Sequence, residues 1–194
     1  MTEMTQQDNP STTRQKRVAF LTALEGVEQV ELTEPWAAVE KAGATPELLS
    51  TATGEVQMFR HLDQADTQPV DKTVADASID DYDALVLPGG VANPDALRRD
   101  RAAVQFVQDF VESGKPVAAI CHAGWMLAEA GVARGRTVTS WPSLQTDLRN
   151  AGAQWVDQEV VTDGNLITSR KPDDIPAFTN ALLESLAHGV AGTT

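Results

Sequence analysis

The sequence contains one cysteine, Cys121, which stands between a short apolar run and a segment with helical spacing. The run is PVAAIC, Pro116 to Cys121, and GWMLAEAG, Gly124 to Gly131, follows it almost at once. A strand that passes through a reactive residue into a helix makes a sharp turn, which exposes that residue above the sheet. The unpaired amides of the first helical turn favour a thiolate, so we predict that Cys121 is a nucleophile with a lowered pKa. A buried structural cysteine is the alternative.

Backbone amides and a histidine can complete a site around this thiol. ALVLPGG, Ala84 to Gly90, is typical of a buried strand that ends in a glycine pair, where the backbone turns sharply. An amide from this turn, at Gly90, and the amide of His122 are predicted to form an oxyanion hole. His122 is also the candidate general base, with an exposed histidine beside the site as the alternative.

Strand patterns and helix patterns alternate along the chain, which predicts an α/β fold with a parallel sheet between two layers of helices. Residues 54–74 are alternating and polar, which indicates a hairpin or edge strands. Pro35 is expected either to kink the first helix or to begin its second half. The other predicted strands are 18–22, 45–50, 84–90, 116–121, 137–141 and a hairpin over 159–169 that turns at Asp163-Gly164, and the predicted helices are 28–43, 102–114, 124–131, 143–151 and 176–187.

Composition indicates a single globular domain, with 194 residues of which 42% are hydrophobic. Residues 1–16 lack periodic hydrophobics, so we expect a flexible leader followed by one domain over 17–190. The net charge of −13 disfavours direct nucleic-acid binding and binding to anionic membranes. No membrane-spanning run or signal-peptide core is found, and the single cysteine forms no internal disulfide, so a cytoplasmic location is expected.

No other class of motif is found in the sequence. The three histidines are scattered, paired cysteine ligands are absent, and no phosphate loop or dinucleotide fingerprint follows a strand. The sequence therefore predicts neither a metal nor a cofactor.

Several segments together resemble the PfpI branch of the ThiJ/PfpI superfamily. They are EQVEL, ALVLPGG, GKPVAAICHAGWMLAEAG and the stretch from RGRTVTSWPSL to KPDDIPAF. The resemblance implies a flavodoxin-like sheet of the class I glutamine amidotransferase type. It also implies that Cys121 is the nucleophile, that His122 follows it, and that Glu28 in EQVEL is the acid that contacts the thiol. A protonated carboxyl group in that place would donate a hydrogen bond; a solvated glutamate on a helix face is the alternative.

The sequence departs from the family pattern at two places. Peptidase-like members complete the histidine with a glutamate from a neighbouring subunit, and the matching position here is Asp95, which is one methylene shorter. Where many relatives have Gly-Pro, this chain has Ala123-Gly124-Trp125. We therefore expect Trp125, together with Gly89, to form a wall of the pocket that limits which substrates fit; packing of Trp125 in the core is the alternative.

The resemblance implies a stress-response enzyme that acts on reactive dicarbonyls or on their early adducts with proteins and nucleotides. An oxidation sensor or holdase chaperone that uses the same thiol is the second hypothesis. Peptide hydrolysis is the third, and a non-catalytic assembly protein the fourth. A homodimer or a larger homo-oligomer is expected.

Overall fold

The computed structural model describes residues 15–188, so the predicted leader over 1–16 lies outside the described residues except for its last two. The described part has twelve strands and six α-helices. In chain order, the strands are β1 Arg17–Leu21, β2 Glu25–Glu28, β3 Thr45–Ser50, β4 Glu55–Arg60, β5 Asp63–Pro69, β6 Lys72–Thr73, β7 Ala84–Leu87, β8 Val117–Ile120, β9 Thr137–Val138, β10 Gln154–Trp155, β11 Val160–Asp163 and β12 Leu166–Ser169. The helices are α1 Gln29–Lys41, α2 Ala92–Leu97, α3 Arg101–Glu112, α4 Gly124–Glu129, α5 Gln145–Asn150 and α6 Ile175–His188.

Seven of the strands form the central sheet in the order β11-β12-β8-β7-β1-β3-β6. Every pair in it is parallel except β11 with β12. Parallel strands need crossover connections. Helices supply them from β1 to β3, from β7 to β8 and from β8 to β12, whereas β4 and β5 connect β3 to β6. The predicted α/β architecture is confirmed.

Both faces of the central sheet are buried. Successive residues of β1 alternate between two hydrophobic clusters, with Val18 and Phe20 in one and Ala19 and Leu21 in the other. Side chains of α1 and α6 fill the first cluster, and side chains of α3, α4 and α5 fill the second. A strand that is covered on both sides has an unbroken apolar run, and this pattern is why such strands can be predicted from the sequence.

Some elements differ from the prediction. The first helix continues through Pro35 to Lys41. The late hairpin turns at Gly164-Asn165, one residue beyond the predicted pair, because Asp163 pairs with Leu166. The strand predicted over 137–141 is only two residues long. Two short elements that were not predicted, β2 and α2, lie against each other at the carboxyl end of the sheet.

A close backbone approach joins β2 to the turn that follows β7. Gly90 has a φ of +81°, and a Cβ atom at this position would lie 2.1 Å from the carbonyl oxygen of Gly26. Only glycine tolerates both this conformation and this approach. The glycine pair therefore holds the start of α1 next to the ends of β7 and β8.

Buried Asn93 fixes the same region by hydrogen bonds to the backbone. Its Oδ1 accepts from the Ala23 amide at 2.7 Å, and its Nδ2 donates to the carbonyls of Pro88 and Gly89 at 3.0 Å. The side chain is fully buried, so water cannot replace these bonds.

Asn93→Ala is therefore expected to lower the free energy of unfolding by about 2–3 kcal/mol, because it leaves buried polar groups unpaired. Urea denaturation measures the loss. Asn150→Ala, the same change at an exposed position, is the control and should cost less than about 0.5 kcal/mol. Equal losses for the two variants would contradict this role of Asn93.

Candidate active site

Cys121 lies directly after β8 and opens a single 3-10 turn, Cys121–Ala123, that leads into α4. Its φ is +62°, in the left-handed region that residues other than glycine rarely adopt. Such a conformation costs on the order of 1–3 kcal/mol and is common at functional sites. The sharp turn expected at Cys121 is thus present in the structure. The nucleophilic role of the thiol remains a prediction.

The thiol faces a cavity of about 920 Å³ at the carboxyl end of the sheet. Cys121, His122, Glu31 and Gly90 all contribute to its lining. A second depression, of about 710 Å³, lies at the outer side of α2 and α3 and includes neither a cysteine nor a histidine. The cysteine cavity is therefore the candidate active site.

The carboxyl group beside the thiol belongs to Glu31, and the expectation that Glu28 contacts the thiol is wrong. Glu31 is fully buried, and its Oε2 accepts from the Gly89 amide at 2.9 Å. A Cβ on Gly89 would lie 2.4 Å from this oxygen and 2.6 Å from the Cβ of Cys121, so only a hydrogen atom fits between them. Glu28 instead accepts from the His61 amide at 3.0 Å.

The helical periodicity of α1 explains the difference. Glu28 ends β2 and precedes the first helical residue, whereas Glu31 lies in the first turn. The positions of Glu31, Pro35 and Val39 follow each other at intervals of four, and all three are buried. Glu28 is likewise followed at intervals of four by Leu32 and Trp36, so this spacing does not distinguish the two glutamates in the sequence. They differ because the helix begins after Glu28.

The environment of Glu31 keeps its carboxyl group protonated at neutral pH. Burial raises its pKa to about 8, although the interaction with the Cys121 thiol and the amides of Gly89 and Gly90 act in the opposite direction. Its Oε1 has no hydrogen-bond partner among residues 15–188. A neutral carboxyl with a free oxygen, set against a thiol, can give or take a proton at the sulfur or at a bound ligand.

The raised pKa of Glu31 predicts a loss of stability with rising pH. A carboxyl whose pKa is raised in the folded state binds its proton more tightly there than in the unfolded chain. The corresponding stability is complete below the ordinary pKa of 4.5 and is lost as the pH rises towards about 8. At about 1.4 kcal/mol per pKa unit, the loss is on the order of 5 kcal/mol.

Urea denaturation of the wild type and of Glu31→Gln across this pH range measures the effect. The difference in free energy of unfolding between the two proteins should shift in favour of the glutamine variant as the pH rises. Glu34→Gln, at an exposed position of the same helix, should follow the wild type. Parallel curves for wild type and Glu31→Gln would show that Glu31 ionises normally.

The sequence suggested a lowered pKa for the Cys121 thiol, and this prediction is wrong because the pKa is raised. Burial raises it, and the charge that Glu31 carries when ionised raises it further, while the amides of His122 and Gly90 lower it. The thiol is 7% exposed, and only a one-turn 3-10 helix and a six-residue helix lie beyond it. Loss of hydration therefore outweighs the field of the helix. Cys121 rests as a thiol and needs a base when it reacts.

His122 is placed to be that base. Its Nδ1 lies 3.3 Å from the Cys121 sulfur, and burial lowers the pKa of the ring, which keeps it neutral at pH 7. The ring stacks on Trp141 at 5.6 Å and meets the edge of Trp125 at 5.3 Å. With its proton on Nε2, this ring can accept the thiol proton at Nδ1.

The structure does not bring Asp95 to the histidine. Asp95 is exposed on α2 and contributes to the outer part of the cavity. No carboxylate among residues 15–188 forms a hydrogen bond with His122. A Cys-His-acid triad is therefore not assembled within the described chain.

The predicted pocket wall also differs. Trp125 does not line the cavity; it packs behind His122, and its Nε1 donates to Asp147 at 2.9 Å. Gly89 lies between Glu31 and Cys121 rather than on the wall. Trp141 is the indole that faces the cavity. Its place there was not predicted, and neither were those of other lining residues, namely Phe59, His61 and Leu62. These residues lie in loops and in the β4–β5 hairpin, and no local sequence pattern predicts that such residues line the cavity.

The amides of Gly90 and His122 both face the Cys121 sulfur. They are the pair expected to hold an oxyanion, and that role remains a prediction. No three His, Cys, Asp or Glu side chains in the described chain are grouped closely enough to hold a metal ion. Within the same residues, no helix is both long and apolar enough to cross a membrane.

Comparison with known proteins shows which family the whole chain resembles. The model of the DJ-1/PfpI family matches residues 16–185. Protein/nucleic acid deglycase 2 of Escherichia coli is 41% identical over 172 residues, which are 88% of this chain and 98% of that protein. A deglycase of Pyrococcus horikoshii is 40% identical over 170 residues, 88% of this chain and 99% of the relative.

A solved structure shares the fold. It is a two-domain protein of Anabaena variabilis with DJ-1/ThiJ/PfpI-like and ferritin-like domains, with a TM-score of 0.85 and 36% identity. The alignment covers 93% of this chain and 50% of the Anabaena protein, so the present chain spans about half of that protein's length.

Proposed function

The chain belongs to the DJ-1/PfpI family, and on that basis we propose that it is a cysteine-dependent enzyme acting on reactive dicarbonyls or on their early adducts with proteins. Three groups that meet in one cavity carry the proposal: the Cys121 thiol, the His122 ring at 3.3 Å and the protonated Glu31 carboxyl. Relatives named as deglycases, similar along nearly their full length, support the choice of substrate.

The first step is attack of sulfur on a carbonyl carbon. His122 Nδ1 takes the thiol proton as the C–S bond forms, and the electron pair of the C=O bond moves onto the oxygen. That oxygen lies near the amides of Gly90 and His122 and takes a proton from Glu31. The product of this step is a neutral hemithioacetal with His122 protonated and Glu31 ionised, so the two groups are ready to move protons in the opposite direction in later steps.

A sensor of oxidants is the second candidate. Peroxide can oxidise the same thiol to a sulfenic and then a sulfinic acid. An oxygen of the sulfinate can accept a hydrogen bond from the protonated Glu31 carboxyl, whose Oε1 has no partner among the described residues. Both functions need Cys121, and they differ in whether substrate is turned over. Peptide hydrolysis is less favoured, because His122 has no carboxylate partner in residues 15–188.

A turnover assay decides between the first two functions. The purified protein should remove many dicarbonyl molecules per protein molecule, and prior alkylation of the single cysteine should stop the reaction. Uptake of peroxide in proportion to the protein, without loss of dicarbonyl, would favour the sensor. If neither occurs, both proposals fail and a non-catalytic role takes their place.

We further propose that the protein acts in the cytoplasm as a homodimer or a larger homo-oligomer. A second copy can place a carboxylate next to His122, which lacks one within the described chain. Small-angle scattering of the full chain tests the assembly, and a monomer at working concentration would contradict it.

A further inference from the structure

The mouth of the cysteine cavity is acidic. Its lining includes Glu25, Glu28 and Asp95 in addition to the buried Glu31, and among the described residues it contains no lysine or arginine. The lining side chains that can carry a positive charge are His61 and His122. Any ligand that reaches Cys121 must therefore pass carboxylates.

The carboxylates at the mouth are not neutralised by ion pairs. None of Glu25, Glu28 and Asp95 takes part in the salt bridges within residues 15–188. Asp95 shares the neighbouring depression with Arg99, whose charge partly offsets its own. The negative field at the mouth is therefore mainly that of Glu25 and Glu28.

Arg60 stands between the lining residues Phe59 and His61, and its exposed guanidinium lies 4.0 Å from Asp66. Two further basic residues that are near the mouth in the chain are also paired with other groups. Arg98 pairs with Glu129 at 2.9 Å and lies over the Trp125 ring. Lys171, next to the lining residue Pro172, pairs with Asp173 at 3.1 Å. Neither contact places a cation against Glu25 or Glu28.

Exposed apolar side chains surround the same opening. Leu62, Val91 and Trp141 are exposed by 82%, 56% and 37%, and all three line this cavity. Apolar contact area beside carboxylates suits a group with an alkyl stem and an uncharged or positive end.

A second observation points to a ligand in this cavity. Glu31 is fully buried and contributes to the lining, and its Oε1 lacks a hydrogen-bond partner among the described residues. A buried polar atom without a partner is costly unless a ligand or water pairs with it.

We propose that Glu25 and Glu28 make the Cys121 cavity select carbonyl compounds on uncharged or cationic carriers and reject those that bear a carboxylate or phosphate. This selection rests on the proposed function, since it names the substrate class of the same site. It implies that adducts on basic peptides are preferred to adducts on acidic peptides and on nucleotides.

Alkylation of Cys121 tests the charge selection without any need for turnover. Iodoacetamide and iodoacetate deliver nearly the same group to a thiol and differ by one negative charge, and the single cysteine makes the label specific. At low salt, the ratio of the iodoacetamide rate to the iodoacetate rate should exceed that of 2-mercaptoethanol by about 10-fold. A ratio equal to that of 2-mercaptoethanol would overturn the proposal.

Salt and substitutions identify the source of the effect. Glu25→Gln should lower the rate ratio by roughly threefold, and salt at roughly 1 M should remove most of the excess because the screening length falls to about 3 Å. Glu184→Gln removes the same charge from an exposed position of α6 and should leave the ratio unchanged. If Glu184→Gln lowers the ratio as much as Glu25→Gln does, the overall charge of the chain is responsible and the mouth is not.

Turnover extends the test to substrates. Hemithioacetals of methylglyoxal with thiocholine, 2-mercaptoethanol and mercaptoacetate share one reactive carbon, with a cationic, neutral and anionic carrier. The expected order of kcat/KM is cationic and neutral above anionic, by about 10-fold at low salt. Loss of all three activities together with a high alkylation ratio refutes the proposed enzyme and retains the charge selection, whereas equal activities refute the selection alone.

Discussion

Replacing Cys121 with serine should lower kcat/KM for dicarbonyl substrates on the order of 1,000-fold or more while leaving the fold intact. A serine hydroxyl holds its proton far more tightly than a thiol does, so neutral His122 cannot generate the attacking anion at neutral pH. The oxygen can take the place of the sulfur beside His122 Nδ1 with little change in volume.

The loss of dicarbonyl absorbance measures this effect, and thermal unfolding followed by circular dichroism checks the fold. Cys121→Ala should lose activity to the same degree, because neither side chain supplies a nucleophile. If Cys121→Ser retains more than a tenth of the wild-type activity with an unchanged melting curve, the covalent mechanism is wrong. The result is independent of the sensor hypothesis, which predicts no turnover even in the wild type.

The second large effect is expected for Glu31. Glu31→Gln should lower kcat/KM by roughly 100-fold or more, since an amide can hydrogen-bond to the reacting oxygen but cannot transfer a proton to it. The amide is close in size to the carboxyl, so the Gly89 contact at 2.9 Å has a replacement acceptor. The defect should fall mainly on kcat.

Two matched variants complete the test of Glu31. Glu34→Gln makes the same change on the exposed face of α1 and should leave both kcat and KM within about twofold. For a neutral substrate, the fold-reduction of kcat/KM by Glu28→Gln should be smaller than that by Glu31→Gln by a factor of about 10 or more. The reason is that Glu28 accepts a hydrogen bond from the His61 amide and does not contact the thiol. A larger effect at Glu28 than at Glu31 would restore the assignment made from the sequence.

The elements of the central sheet were predictable because their signals are local. The strand predicted over 45–50 has the same bounds as β3, Thr45–Ser50. Strands were also predicted directly before the glycine pair and up to the cysteine, where β7 and β8 lie. β7 and β8 are buried at every residue and are therefore uninterrupted apolar runs in the sequence, whereas β3 also carries exposed Thr45 and half-buried Glu47. The helix that became α3 was likewise marked by apolar spacing and by Gly114 at its end.

Elements without a local pattern were missed. The four residues of β2 pair with β4 across a register shift, and α2 has only six residues. Such short segments are stabilised by what they pack against rather than by their own propensities. In this chain they pack against each other and, through Gly26 and Gly90, against the turn after β7.

The order of residue types predicted the place of the proposed nucleophile and of its neighbour: Cys121 follows an apolar strand, His122 is next to it, and a helix lies beyond. Which acid meets the thiol, how strongly the thiol holds its proton and which indole faces the cavity follow from packing in three dimensions. Glu28 precedes α1 whereas Glu31 lies in its first turn, and the loss of water around a buried sulfur outweighs the field of a short helix. The proton affinity of a buried group depends on its distance from groups that are far away in the chain and on the exclusion of water around it. The spacing of residues along the sequence determines neither of these two quantities.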